Sequence, residues 1–296
     1  MSDGHEIPLS EHERSVIAHY DRMTRVFYLQ WSSEHFHFGL FNPGERPRHN
    51  ETPKESDGHA RALERMVEVI VAPAGIEEHH HVVDAGCGVG GTAFHLARTR
   101  GCRVTGLNLC ETQLEIANSK AVNANLGERI DFEYANCSRN LPFADASVDV
   151  VVNIESARHY SDRRRFLHEV YRILKPGGRI VASDWMAHDA IPAMHYRNYI
   201  EPLCEDWMMC RLESQSSYTR LLREAGLEVI EFEGFNGMEY DNLHLLTNTY
   251  QSLRLLQTGY MKSPAFAKLM AQLERLCVAW RHSYLNIRRY CAVKSG

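Results

Sequence analysis

Asp84-Ala85-Gly86-Cys87-Gly88-Val89-Gly90-Gly91 lies between an apolar run that reads as a strand and a segment that reads as a helix. Glycines at such a junction let the backbone turn tightly and bring its amides to a ligand at the helix N-terminus. Gly86, Gly88 and Gly91 also satisfy G-x-G-x-x-G, the dinucleotide fingerprint, which expects an acidic residue about 20 positions on for the ribose hydroxyls. Asn108 stands there instead, and the dinucleotide reading loses ground. His79-His80-His81 has the chemistry of a metal ligand set, but no second cluster lies at ligand spacing, so it reads as a loop before a strand. A third concentration of chemistry is the aromatic and histidine run His35-Phe36-His37-Phe38-Gly39-Leu40-Phe41.

The elements that must position these groups follow from periodicity. Residues 10–34 read as a helix whose Val16, Ile17, Tyr20, Met23, Phe27, Leu29 and Trp31 share a face, residues 42–58 as a polar loop, and 59–74 as a second helix. From 81 onward short strands (81–84, 103–108, 130–135, 148–153, 179–184) alternate with helices (91–100, 111–126, 166–174), and 175–178 (Lys-Pro-Gly-Gly) is a turn. The Val-rich run at 148–153 is typical of a strand buried on both faces. A helix at 218–225 and strands at 227–235 and 288–294 complete the pattern. Such alternation predicts an α/β fold with a doubly wound, seven-stranded, mostly parallel sheet of Rossmann-like type, its ligand at the carboxyl ends of the strands. The expected organisation is an N-terminal helical and aromatic arm (1–58), a nucleotide-binding core (59–186), a helical cap insertion (187–217), core again (218–239), a second helical insertion (240–286) and a last strand (287–296).

The 296 residues are 44% apolar and 24% charged, with a formal net charge of −5, which disfavours partners that need a basic face, such as nucleic acid. No stretch approaches the roughly 18 apolar residues of a membrane helix. The polar first residues lack the apolar core of a secretion signal. The eight cysteines include no C-x-x-C pair, so free thiols in a reducing cytoplasm are expected. An amphipathic N-terminal helix is also a surface on which a second copy could pack.

Two further segments follow the glycine loop in order: Leu141-Pro142-Phe143-Ala144-Asp145-Ala146-Ser147-Val148-Asp149-Val150-Val151 and Leu174-Lys175-Pro176-Gly177-Gly178. With the loop, they closely resemble the class I S-adenosylmethionine-dependent methyltransferases over residues 60–235. The resemblance implies S-adenosylmethionine as cofactor, with Gly86, Cys87 and Gly88 along its methionine part. Asn108 and Leu109 would lie by the ribose, Gln113 would reach a hydroxyl, and Asn136 and Cys137 would border the adenine. Many members carry carboxylates where Asn108 and Asn136 stand; an amide can still hydrogen-bond a hydroxyl or an amine, without the charge. The run Asn108-Leu109-Cys110-Glu111-Thr112-Gln113 resembles the branch of sterol, cyclopropane fatty acid and tocopherol methyltransferases.

Trp31-Ser32-Ser33-Glu34-His35-Phe36-His37-Phe38-Gly39 is similar to the segment ahead of the cofactor domain in sterol and tocopherol methyltransferases. Glu155, in Asn153-Ile154-Glu155-Ser156-Ala157-Arg158-His159-Tyr160, stands where sterol and geranyl diphosphate C-methyltransferases have a glutamate beside the transferred methyl. The overall layout looks most like the isoprenoid C-methyltransferases of secondary metabolism. The resemblance therefore implies methylation of an alkene carbon of an isoprenoid, most readily a prenyl diphosphate. An alkene attacks only if held close and in line, and leaves a carbocation that aromatic faces stabilise. Glu155 would remove the proton, with His159 orienting it or sharing the proton. Tyr20 would lie over the cofactor. Trp31, Phe36, Phe38, Trp185, Tyr196, Tyr199 and Trp207 would wall the substrate, and Arg158 would bind its anionic end. Arg25, Arg163, Arg164, Arg165 and Arg197 are nearby cations, although the run 163–165 reads as a solvated helix face. No Asp-rich metal motif of the terpene-synthase kind is present, so magnesium is compatible with a diphosphate substrate without being signalled. The competing reading is a prenylated, sterol-like or other natural product methylated at carbon, oxygen or nitrogen, with His159 as base.

Overall fold

Val148, Val150, Val151 and Val152 are all buried, as a strand covered on both faces requires. In the computed structural model, which describes residues 8–42, 45, 53–235 and 264–296, they form β4 (Val148–Ile154). Its neighbours are β1 (His81–Ala85) and β5 (Leu174–Ala187). The other strands are β2 (Arg103–Asn108), β3 (Ile130–Tyr134), β6 (Leu227–Gly234) and β7 (Leu285–Lys294). The seven-stranded sheet runs β3-β2-β1-β4-β5-β7-β6, with β7 antiparallel to both neighbours and the other pairings parallel. Strand order reverses between β1 and β4, and the loops after β1, β2 and β4 meet there, where open α/β sheets bind ligands.

Successive residues of a strand face opposite sides, so the sheet has two cores. Val82, Val104 and Val150 pack with Met66, Val67 and Ile70 of α2 (Asp57–Val71) and Phe94 of α3 (Gly91–Arg100). Val83, Val151 and Ile180 pack with Phe166, Leu167 and Val170 of α5 (Arg163–Ile173) and Leu222 of the helix Gln215–Glu224. Helix α1 (Glu11–Gln30) opens with a capping box between Ser10 and Glu13, and α4 (Glu111–Asn123) follows β2. Residues 187–217 contain α6 (Ala193–His195), a π turn (Tyr196–Ile200) and α7 (Glu201–Asp206). Gln215–Glu224 is then α8, and Pro264–Arg281 is α9. Among the described residues no helix is long and apolar enough to cross a membrane.

Three sequence expectations are corrected. The first helix ends at Gln30, not 34: Trp31 N–H and Ser32 N–H both donate to Phe27 O, and the chain beyond is held by Leu40 N–H donating to Ala62 O at 2.9 Å and Trp31 Nε1–H to His37 O at 3.1 Å. The Lys175-Pro176-Gly177-Gly178 segment is not a separate turn but an irregularity within β5, where the register with β4 shifts between Val148 and Val150. Arg163 is not solvated; it is buried and donates to the carbonyls of Ala157, Arg158 and Arg211. Of the second insertion at 240–286, residues 240–263 lie outside the described residues, and α9 and the start of β7 occupy the remainder.

Candidate active site

The loops after β1, β2, β3 and β4 enclose a cavity that α1 and the 34–37 segment cover. Its empty space is about 1040 Å³, mouth included. Gly86, Cys87, Gly88, Asn108, Leu109, Gln113, Asn136 and Cys137 all line it, and so do Tyr20, Glu155 and His159.

Two glycines show how the loop is built. Gly86 has φ +83°, and a Cβ there would lie 1.8 Å from Ser156 Oγ, so the β1 and β4 loops touch only because residue 86 has no side chain. Gly88 has φ +56° and nothing within 4 Å of a would-be Cβ. That open backbone, at the N-terminal end of α3, is a cradle for a polar ligand. Beneath the loop Asp84 is fully buried, with Oδ2 unpartnered, and burial pushes its carboxyl up to about 7.

The amides expected at the ribose and adenine ends are already engaged. Asn108 Nδ2 donates to Gly88 O at 3.1 Å and to Gln113 Oε1 at 2.8 Å, while its Oδ1 accepts from Cys110 N–H. Gln113 Nε2 donates to Thr24 Oγ1 at 2.9 Å, and Thr112 Oγ1 donates to Asp21 Oδ1 at 2.8 Å. Asn136 Nδ2 donates to Glu13 Oε1 at 2.6 Å. Burial works against the Glu13 carboxylate, but donors from Ser10, Asn136 and Arg139 hold its pKa below the usual range. Helix α1 is thus a lid fastened along its length. Sequence reading missed Glu13, Asp21 and Thr24; the signal was the capping box and the three-to-four-residue spacing of 13, 17, 20 and 24 on one helix face.

Tyr20 Oη lies 2.9 Å from His159 Nε2, and His159 Nδ1 lies 2.9 Å from Met208 O. A carbonyl only accepts, so Nδ1 carries the proton, and the Nε2 lone pair accepts from the Tyr20 hydroxyl. Burial, and then the nearby Arg158, keep His159 well below the usual imidazole range. Burial also raises Tyr20. Glu155 sits at φ +49°, a strained backbone for a residue with a side chain. Its Oε1 accepts from Phe38 N–H at 3.1 Å and its Oε2 from Trp185 Nε1–H at 2.7 Å, with Arg158 Nη1 at 3.5 Å. Arg158 also lies over the Trp185 ring, 4.7 Å from its centroid.

The structure does not bring the expected aromatic wall to this cavity. Phe36 and Arg158 line it, whereas Trp31, Phe38, Trp185, Tyr196, Tyr199 and Trp207 do not. Phe38 stacks on Trp185 (centroids 5.6 Å apart), which meets Trp207 and Trp280, and Trp31 meets Phe38; these rings fill a core behind Glu155. Tyr196 is buried, its hydroxyl bonded to the Leu212 backbone, and Tyr199 packs against Tyr284. Large flat rings serve a core as readily as a pocket, and the sequence pattern does not distinguish the two. Arg164 pairs with Glu224 and Arg165 with Asn140, both away from the cavity.

A methyltransferase domain model matches residues 83–182. Methyltransferase GfsG of Streptomyces halstedii is 31% identical over 218 residues, which are 74% of each chain. The chain belongs to the class I S-adenosylmethionine-dependent methyltransferases. A tocopherol O-methyltransferase of Arabidopsis thaliana is 27% identical over 230 residues, 74% of this chain and 64% of that one. The fold is shared by the geranyl diphosphate C-methyltransferase of Streptomyces coelicolor, solved with Mg2+, geranyl diphosphate and S-adenosyl-L-homocysteine. That match has a TM-score of 0.74 at 19% identity and covers 97% of this chain and 100% of that one. The residues of this methyltransferase fit the cofactor: the open cradle at Gly88 suits a zwitterionic amino acid, and amide and carboxylate groups at the ends of β2 and β3 suit a nucleoside.

Proposed function

We propose that this methyltransferase moves a methyl group from S-adenosylmethionine to a hydroxyl or amine of a small, largely apolar acceptor, with Tyr20 and His159 taking the proton. The observation that carries this reading is the 2.9 Å contact from Tyr20 Oη to a His159 whose Nδ1 is committed to Met208 O. The bound cofactor supplies a methyl on a positively charged sulfur, open to attack by a lone pair. Gly86, Cys87 and Gly88 would hold its methionine part, Asn108, Leu109 and Gln113 its ribose, and Asn136 and Cys137 its adenine. An acceptor O–H or N–H must lose its proton as the new bond forms. Tyr20 receives that proton as its own passes to Nε2, which carries no proton beforehand because burial keeps the imidazole neutral. Glu155 takes one donor on each oxygen, from Phe38 N–H and Trp185 Nε1–H, and in this reading it clamps those two residues and pairs with Arg158.

A second reading is methylation of an isoprenoid alkene carbon, most readily of a prenyl diphosphate and then with magnesium, where Glu155 removes the proton from the cation. What favours it is a buried carboxylate in the cavity wall with a guanidinium beside it. Purified protein with radiolabelled S-adenosylmethionine should be offered isopentenyl, geranyl and farnesyl diphosphates, with and without Mg2+, alongside phenols, aliphatic alcohols and secondary amines. Label in the alcohols, phenols or amines supports the first reading; label in the diphosphates alone overturns it in favour of the second.

A further inference from the structure

Glu13 comes from the lid helix, yet its carboxylate reaches the end of β3. It is 5% exposed and lines the cavity beside Ala135, Asn136 and Cys137. Its Oε2 accepts from Ser10 N–H at 2.7 Å and from Arg139 Nη2 at 2.9 Å, and its Oε1 from Asn136 Nδ2 at 2.6 Å. A carboxylate offers about four lone-pair directions. Three are filled, and the fourth lies on Oε1, the oxygen beside Asn136. Asn136 itself has its carbonyl oxygen on Ser138 N–H at 2.9 Å. Of the other acidic residues along the cavity, Asp84 lies under the glycine loop, Glu155 at the end of β4, and Glu34 against Gly91 with its carboxylate toward Arg98 of α3, all away from this corner. Adenine presents an exocyclic amine, a donor that needs an acceptor.

We infer that Glu13 accepts the hydrogen bond of the adenine amine, so that the lid helix reads the base of the cofactor and favours an adenosyl group. Glu13 is then a specificity residue, and its salt bridge with Arg139 and its bond to Asn136 aim the remaining lone pair. A lid fastener that also served the capping box would make the same three contacts but would be indifferent to the base.

S-adenosylhomocysteine and S-inosylhomocysteine, which has an oxo group in place of the amine, separate the two roles. Calorimetric titration of the whole protein should show the adenosyl ligand binding roughly 10- to 100-fold more tightly, the range for a hydrogen bond to a charged acceptor. In Glu13→Gln the two donors at Oε2 claim the amide oxygen, so an NH2 replaces Oε1, faces the Asn136 NH2 and offers the base no acceptor. The preference should then vanish or invert in favour of the inosyl ligand. Glu13→Ala should abolish it and serves in place of E13Q if that variant does not fold. Thr24→Val, which unfastens α1 from Gln113 without touching the base, should weaken both ligands by the same factor. Equal affinities in the unmutated protein overturn the assignment, as does an E13Q or E13A variant that loses both ligands equally and keeps the preference.

Discussion

Replacing Glu155 by glutamine removes one charge and one acceptor from a closed network, and the structure sets the size of the effect. The carboxylate uses separate oxygens for Phe38 N–H and Trp185 Nε1–H. Glutamine has one carbonyl oxygen, so its NH2 must face one of these donors, and a buried N–H left without an acceptor costs about 1–3 kcal/mol. Arg158, itself buried, loses its 3.5 Å carboxylate partner and is left with the Asp184 carboxylate at 4.0 Å. Breaking a buried pair outright costs about 3–5 kcal/mol. The two effects overlap and Asp184 compensates in part, so Glu155→Gln should destabilise the fold by about 3–5 kcal/mol in urea unfolding at pH 7.5. The compensation is itself measurable. Burial holds the Asp184 carboxyl up at about 6, opposed by Arg158 and Arg163 and aided by Glu155. Asp184→Asn alone should therefore cost little, but in the Glu155→Gln background it removes the last anion beside Arg158. The double-mutant cycle should show a coupling above about 1 kcal/mol. A loss below about 1 kcal/mol for E155Q together with an additive cycle refutes the network as drawn.

Tyr20→Phe removes the donor to His159 and the route to Nε2, and should lower kcat by roughly 10²–10⁴-fold with little change in KM; an unchanged kcat removes Tyr20 from the reaction. Because burial holds His159 neutral, kcat should stay level as pH falls through about 6.5, and a fall with that midpoint would show an ordinary imidazole. Asp84 behaves oppositely to a paired carboxylate. Its folded pKa, about 7, lies above the ordinary 3.8. The folded protein therefore holds a proton that the unfolded chain has released, and stability declines as pH rises from about 4 to about 7, then levels. Asp84→Asn should flatten that slope by up to about 1.4 kcal/mol per pH unit, seen in urea midpoints across the range. Gly86→Ala meets both a positive φ and the Ser156 side chain, with Ser156 Cβ at 2.5 Å as well as its Oγ. It should abolish cofactor binding or soluble yield, and Ser156→Ala in the same chain should restore little, since the Cβ contact and the φ remain.

Much of the molecule is set by local pattern. The Val-rich run of β4, the alternation of short strands with helices and the glycine loop after β1 each depend on neighbours in sequence, and so the sheet, its ligand edge and the eleven cavity residues 20, 86, 87, 88, 108, 109, 113, 136, 137, 155 and 159 were legible in the sequence. What each group does there was not, because partners from distant segments decide it. Asn108 and Asn136 are amides in sequence and fasteners in space, one spent on Gly88 and Gln113, the other on Glu13 from more than a hundred residues away. Glu155 has the composition of a base, but in space it also anchors Phe38 N–H on one oxygen and Trp185 Nε1–H on the other. The tryptophans carry the same apolar rings in a wall or a core, and only packing assigned them to the core. Periodicity records which face of an element is buried; a lone pair's availability depends on which donors the tertiary fold brings within 3 Å of it, and no short-range pattern encodes that.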